Sequence, residues 1–183
     1  MLSRELQQAV APRARTLNVL WGAFLAATVF YVGVVALALG KAAPGESAAD
    51  TLPDPWLVTA VLAAMAVGAA AGSFFVPRLL LSGSKGSLLA IAGAGPAPTA
   101  AETAAAARLP ESERILLGHL PAYQTTLIIV WALREAIAVF GVIAAILTRQ
   151  PAIVVPFAVL ALALLALARP QVTAYLEGGK RHS

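Results

Sequence analysis

The chain has no cysteine among its 183 residues, which excludes disulfides, thiolate nucleophiles and cysteine metal sites together. Charge is also scarce. Asp, Glu, Lys and Arg make up 12% of the chain, against roughly 25% in soluble domains. Its two histidines, His119 and His182, are isolated, with no second ligand at a useful spacing, so no metal site is expected. Gly83-Ser-Lys-Gly86 and Gly93-Ala-Gly95 lack the strand–loop–helix setting of a phosphate loop. No nucleophile, base and acid fall into a catalytic pattern. Neither enzyme activity nor a cofactor is expected.

Apolar length is what the chain has in excess. It is 60% hydrophobic, with mean hydropathy +0.82. Four stretches, Leu17–Leu39, Pro55–Val76, Thr125–Leu147 and Ala152–Ala168, fall within the range of about 17–25 residues that crosses a hydrocarbon core about 30 Å thick. Backbone groups in lipid must bond within their own segment, which favours helices. The run Phe157–Ala168 alternates partly with a strand period, but its length and Ala/Leu content favour a helix. The expected fold class is all-α: an integral membrane four-helix bundle, one membrane domain over residues 1–183, with its longest connection at 77–122.

The basic excess has a side. Arg4, Arg13, Arg15, Arg78, Lys85, Arg108, Arg114, Arg169, Lys180 and Arg181 flank the spans on one side, against Lys41 and Arg149 on the other. By the positive-inside rule both termini are cytoplasmic, and the expected location is a cell inner (plasma) membrane. The pI near 10.0 therefore reads as topology, not nucleic-acid binding. The partner it implies is the lipid bilayer. The start slightly resembles a signal peptide, but Leu17–Leu39 is longer than the about 7–15 residues of an apolar signal core.

Prolines punctuate the rest. Pro12 is expected to end a short interfacial helix around Leu6 and Val10, and Glu111–Leu120 to form a separate amphipathic helix before Pro121. Gly40–Asp54 reads as an outer loop, Ser82–Ser87 and Gly93–Pro98 as flexible pieces, and Thr99–Leu109 as an Ala-rich helix. Thr148–Pro151 leaves room for only a tight turn, and Pro170 is expected to stop the fourth helix.

Two patterns could carry function. Small residues recur as Ala60, Ala64, Gly68 and Gly72 in the second span, and as Ala138, Gly141 and Ala145 in the third. Such rows let helix backbones approach closely, inside the bundle or in a homo-oligomer or membrane-complex seam. The other pattern is Arg134-Glu135 inside the third span, where a charge costs about 2.5–3.5 kcal/mol on insertion scales. Adjacent helical residues point about 100° apart, so the two cannot share one narrow stripe. Trp131 is placed to stack on the guanidinium. Polar company is sparse: Asn18, Thr28 and Tyr31 on the first span, Thr59 and Ser73 on the second. Either Glu135 binds a proton or cation, or the pair holds helices in register.

The segment Trp131-Ala-Leu-Arg-Glu-Ala-Ile-Ala-Val-Phe-Gly-Val-Ile-Ala-Ala-Ile-Leu147 resembles the ion-carrying helix of the proteolipid (c) subunit of rotary ATP synthases. That pattern runs Ala-Leu, one residue, an acid, Ala, then an aromatic-Gly pair. The resemblance implies Glu135 as the ion-binding carboxylate, with the small-residue stripe of the second span as its partner helix. The whole layout resembles small uncharacterised bacterial four-span membrane proteins, through Ala132-Leu133-Arg134-Glu135, the turn at Thr148–Pro151 and Arg169-Pro170. Three functions follow as expectations. The favoured one is a structural or accessory subunit of a membrane complex, packing through small-residue helix faces. The alternatives are a proton- or cation-coupled element carried by Glu135, and a small-solute transporter acting as an oligomer.

Overall fold

The computed structural model describes residues 3–40, 54–82, 103, 107 and 109–179. Its described elements are α1 (Arg4–Gly40), α2 (Pro55–Ser82), α3 (Glu111–Thr148), a 3-10 turn (Pro151–Ile153), α4 (Val154–Leu167) and α5 (Val172–Gly179). No strand occurs among the described residues. α1, α2 and α3 are each long and apolar enough to cross a membrane, whereas the apolar helix Pro151–Leu167 is shorter. Most of Gly40–Asp54, the pieces after Ser82 and the Ala-rich segment from Thr99 lie outside the described residues.

Helix starts follow local chemistry. Asp54 accepts from the Trp56 amide at 3.0 Å and Pro55 takes the first helical position, where its missing N–H costs nothing. Ser3 caps α1 by accepting from the Leu6 amide at 3.1 Å. The three interior prolines behave differently from the sequence expectation. α1 runs through Pro12 and α3 through Pro121, so the separate helices expected before each are single continuous ones. α2 likewise passes Pro77 and ends at Ser82. A proline removes one backbone bond and costs about 3 kcal/mol. Burial on both sides offsets this in the first two cases: Leu6, Val10 and Leu17 flank Pro12, and Leu120 and Thr126 flank Pro121, all of them buried.

Hydroxyls inside the helices are satisfied locally. Thr28 donates to the Phe24 carbonyl at 3.0 Å, Thr59 to Pro55 at 2.9 Å and Thr126 to Ala122 at 2.8 Å. Back-bonding of this kind hides a polar group without a tertiary partner.

The chain forms two compact units. One comprises Met1–Trp21, Val76–Ile128 and Arg169–Ser183, with Leu6, Val10, Leu17, Leu120, Val172 and Leu176 among its buried residues. Here Glu113, 4% exposed, accepts from the Ser3 hydroxyl at 2.6 Å and the Ser3 amide at 3.4 Å. One carboxylate thus serves the positive end of α1 while standing in the first turn of α3. A further short helix, α5, follows Pro170. Pro170 does interrupt the helix, but Val172, Tyr175 and Leu176 recur at helical spacing, and Tyr175 stacks on Tyr123 with ring centroids 4.2 Å apart.

The other unit comprises Gly22–Phe75 and Ile129–Ala168. Its core joins Ala66 of α2, Ile137 and Ala138 of α3, and Ala161 and Leu164 of α4. A second cluster joins Val35, Ala145 and Val154. The α3–α4 connection is tight, as its length predicts. Gln150 N–H donates to the Ala145 carbonyl at 3.1 Å and Arg149 N–H to Ile146 at 3.3 Å, with Arg149 at φ 53°. This is a Schellman ending with arginine where glycine usually sits.

Candidate functional site

α3 carries the site on one stretch, Trp131–Glu135, whose side chains fan to three helices. Trp131 and Arg134 stand three residues apart and so share a face. Both are buried, at 0% and 6% exposed, and both reach the last turn of α4. Trp131 Nε1–H donates to the Ala168 carbonyl at 3.0 Å. Arg134 Nη1 donates to the Leu164 carbonyl, and its Nε to Ser73 Oγ at 3.3 Å. Ser73 in turn donates to the Ala70 carbonyl at 2.8 Å.

The reason lies in α4. A helix ends with carbonyls that have no intrahelical donor and with a negative partial charge. Ala168 N–H bonds back to Leu165 at 3.0 Å, and Arg134 and Trp131 serve the Leu164 and Ala168 carbonyls. A buried cation here meets the negative end of a helix dipole. The ring under the guanidinium is Phe74, with its centroid 5.3 Å from Cζ, and not Trp131 as the sequence spacing predicts. Trp131 is turned toward α4 and packs on Phe24 at 6.0 Å.

Glu135 takes another direction. It is half-buried and accepts a hydrogen bond from the Tyr31 hydroxyl of α1 at 2.8 Å. The 100° step between adjacent helical residues sends Arg134 toward α2 and α4 and Glu135 toward α1. Of the polar residues singled out in the sequence, Tyr31 and Ser73 join this site, and Thr28 and Thr59 bond within their own helices. The carbonyls of Leu164 and Ala168 and the Phe74 ring were missed. Backbone acceptors leave no mark in a side-chain pattern.

The two small-residue rows divide. Ala138, Gly141 and Ala145 are all buried. A Cβ at Gly141 would stand 2.5 Å from Phe157 Cβ, so α3 and α4 touch there nearly backbone to backbone. On α2, Ala60 and Gly72 are half-buried but Ala64 and Gly68 are exposed. A Cβ at Gly72 would meet Leu133 Cδ1 at 3.8 Å, and one at Gly68 would meet nothing within 4 Å. The face α2 turns inward is Ala66, Ala69, Ala70 and Ser73, rotated from the expected row.

Among the described residues no group of three or more His, Asp or Glu side chains is placed to hold a metal. The chain matches no protein-family model, no curated protein and no solved structure.

Proposed function

We propose that the protein is an integral component of a bacterial inner membrane, crossing it four times with both termini cytoplasmic. In this reading it serves as a structural or accessory subunit that receives a partner helix, or a second copy of itself, on α2. The three long apolar helices support the membrane setting. α4 and its 3-10 turn, at 1.5 and 2.0 Å per residue, reach about 27 Å, close to the about 30 Å of a hydrocarbon core. The α4 end, with Arg134 beside it, then lies near the cytoplasmic interface, where a guanidinium is less costly than at the midplane.

The observation that carries the accessory role is the open half of the α2 row. Ala64 and Gly68 are exposed while the equivalent row of α3 is consumed by α4. Small residues left uncovered on a membrane helix suit close approach by another helix. Leucines at Ala64 and Gly68 together should leave the protein's own thermal unfolding unchanged and abolish its larger assemblies in native membranes, read by cross-linking and native gels. Unchanged assembly in that variant would sink the accessory reading.

Glu135 favours a second reading. Its carboxyl has a neutral phenol for a partner while Arg134 is engaged elsewhere. A carboxyl not tied to its neighbouring cation is the group on which a proton- or cation-coupled reading rests. Carbodiimide labelling of Glu135 near neutral pH, blocked at alkaline pH, would support proton coupling. Absence of labelling across the pH series would remove it.

A further inference from the structure

At the basic end of the chain a cleft of about 400 Å³ opens between one turn of α1 and the segment that follows α4. Ala14 and Asn18 form one wall, and Arg169 through Ala174 the other. Its polar side chains are all able to donate hydrogen bonds. Arg169 is a cation with no partner among the described residues, Asn18 keeps one amide hydrogen after donating to the Ala14 carbonyl at 2.9 Å, and Thr173 adds a hydroxyl. No carboxylate lines the cleft. Glu177, the acid of α5, is exposed one turn further along. Arg13 and Arg15 flank Ala14 in sequence. Gln171 adds a side-chain amide, and Pro170, Val172 and Ala174 make the remaining lining apolar.

A donor-lined, cationic cleft with an apolar side fits a phosphate oxyanion attached to something greasy. Guanidinium is well matched to phosphate oxygens. Arg169 follows α4 by two residues, so if α4 crosses the bilayer the cleft opens at headgroup depth, where anionic lipid attracts basic groups. We propose that this cleft is a phosphate-binding site, with Arg169 as its cationic anchor and Asn18 and Thr173 as further donors. The placement at headgroup depth rests on the membrane reading above, and the oxyanion chemistry does not.

The test uses the full chain in detergent, titrated with phosphatidylglycerol, with phosphatidylcholine and with inorganic phosphate, and read by native mass spectrometry. Arg169→Gln should weaken phosphatidylglycerol binding about fivefold, as expected for one basic contact near a membrane surface. Asn18→Leu, which fills the cleft from α1, should weaken it too. Arg78→Gln carries the same change in net charge at a residue that does not line the cleft and should bind as the unaltered protein does. Lipid binding that survives excess inorganic phosphate assigns the site to a headgroup, and displacement assigns it to soluble phosphate. Equal binding by the unaltered protein, Arg169→Gln and Asn18→Leu overturns the proposal, as does an equal loss in Arg78→Gln. Alkaline carbonate extraction of membranes tests the membrane reading separately: release of the protein would remove that reading and leave the binding result to stand alone.

Discussion

Arg134 and Glu135 are consecutive residues of α3 that share no bond: Arg134 donates to Ser73 and the Leu164 carbonyl, while Glu135 accepts from Tyr31. Each charge is committed to a different helix, so the two act as separate ties and not as an internal ion pair. Their removal should therefore have separable effects, and deleting both should not restore what one deletion loses.

Arg134→Leu strips the Leu164 carbonyl of its donor in a buried setting, which costs about 1–3 kcal/mol for an unsatisfied group. Trp131→Phe loses the indole donor to Ala168 and part of a fully buried ring, and should cost about 1–3 kcal/mol. Because both side chains serve one helix end, the double variant should lose less than the sum of the single losses. Unfolding in denaturant with a double-mutant cycle checks this, and strict additivity would show that the two contacts are independent.

Gly141→Ala should destabilise by about 1–3 kcal/mol or more, the range for overpacking, because its new methyl meets Phe157 Cβ at 2.5 Å and Cγ at 2.9 Å. Phe157→Ala in the same chain removes Cγ and leaves Cβ, so rescue should be incomplete. Thermal melts of the two single variants and the pair decide. Full rescue would mean that the ring, and not the backbone approach, sets the tolerance.

Arg149→Gly should stabilise the α3–α4 hairpin by roughly 0.5–1 kcal/mol, since glycine occupies the left-handed region without penalty. Arg149 at φ 53° bears that strain now. A lower melting temperature in Arg149→Gly would show that contacts of the arginine side chain outweigh the backbone term.

Burial raises both Tyr123 and Tyr175 above the ordinary tyrosine value. For Tyr123 the Gln171 amide opposes the rise, and for Tyr175 the neighbouring Tyr123 adds to it. The folded state thus holds its phenolic protons longer than the unfolded chain. It binds more protons in that window, so stability falls as pH rises. The contribution is whole below about pH 10 and is lost as pH climbs through the folded values. The melting temperature should drop on the alkaline side of that window, and Tyr175→Phe should shrink the drop. An unchanged drop in Tyr175→Phe would place its origin elsewhere.

The sequence was most legible where length and charge act alone. The apolar runs became α1 to α4, Thr148–Pro151 became a tight turn, and the only charges within the third run became the polar centre. Helix ends near proline were not legible, because whether a helix survives Pro12 or Pro121 depends on burial on both sides. The inward face of α2 was obscured for a different reason. Ala and Gly occur on several of its faces and the helix is apolar all round, so no periodicity distinguishes Ala66 and Ala70 from Ala64 and Gly68. α5 was hidden by its brevity, and its tie to α3 is an aromatic stack that spacing does not announce.

The capped end of α4 bears on how this membrane protein is made. The Leu164 and Ala168 carbonyls find their donors on α3, and the Arg134 cation finds its counter-dipole on α4. Neither helix leaves water fully satisfied without the other. With so short a turn between them, α3 and α4 are suited to form as one hairpin, each covering the polar burden of its neighbour. A chain ending at Gln150 would leave the Arg134 guanidinium without the helix end that it serves.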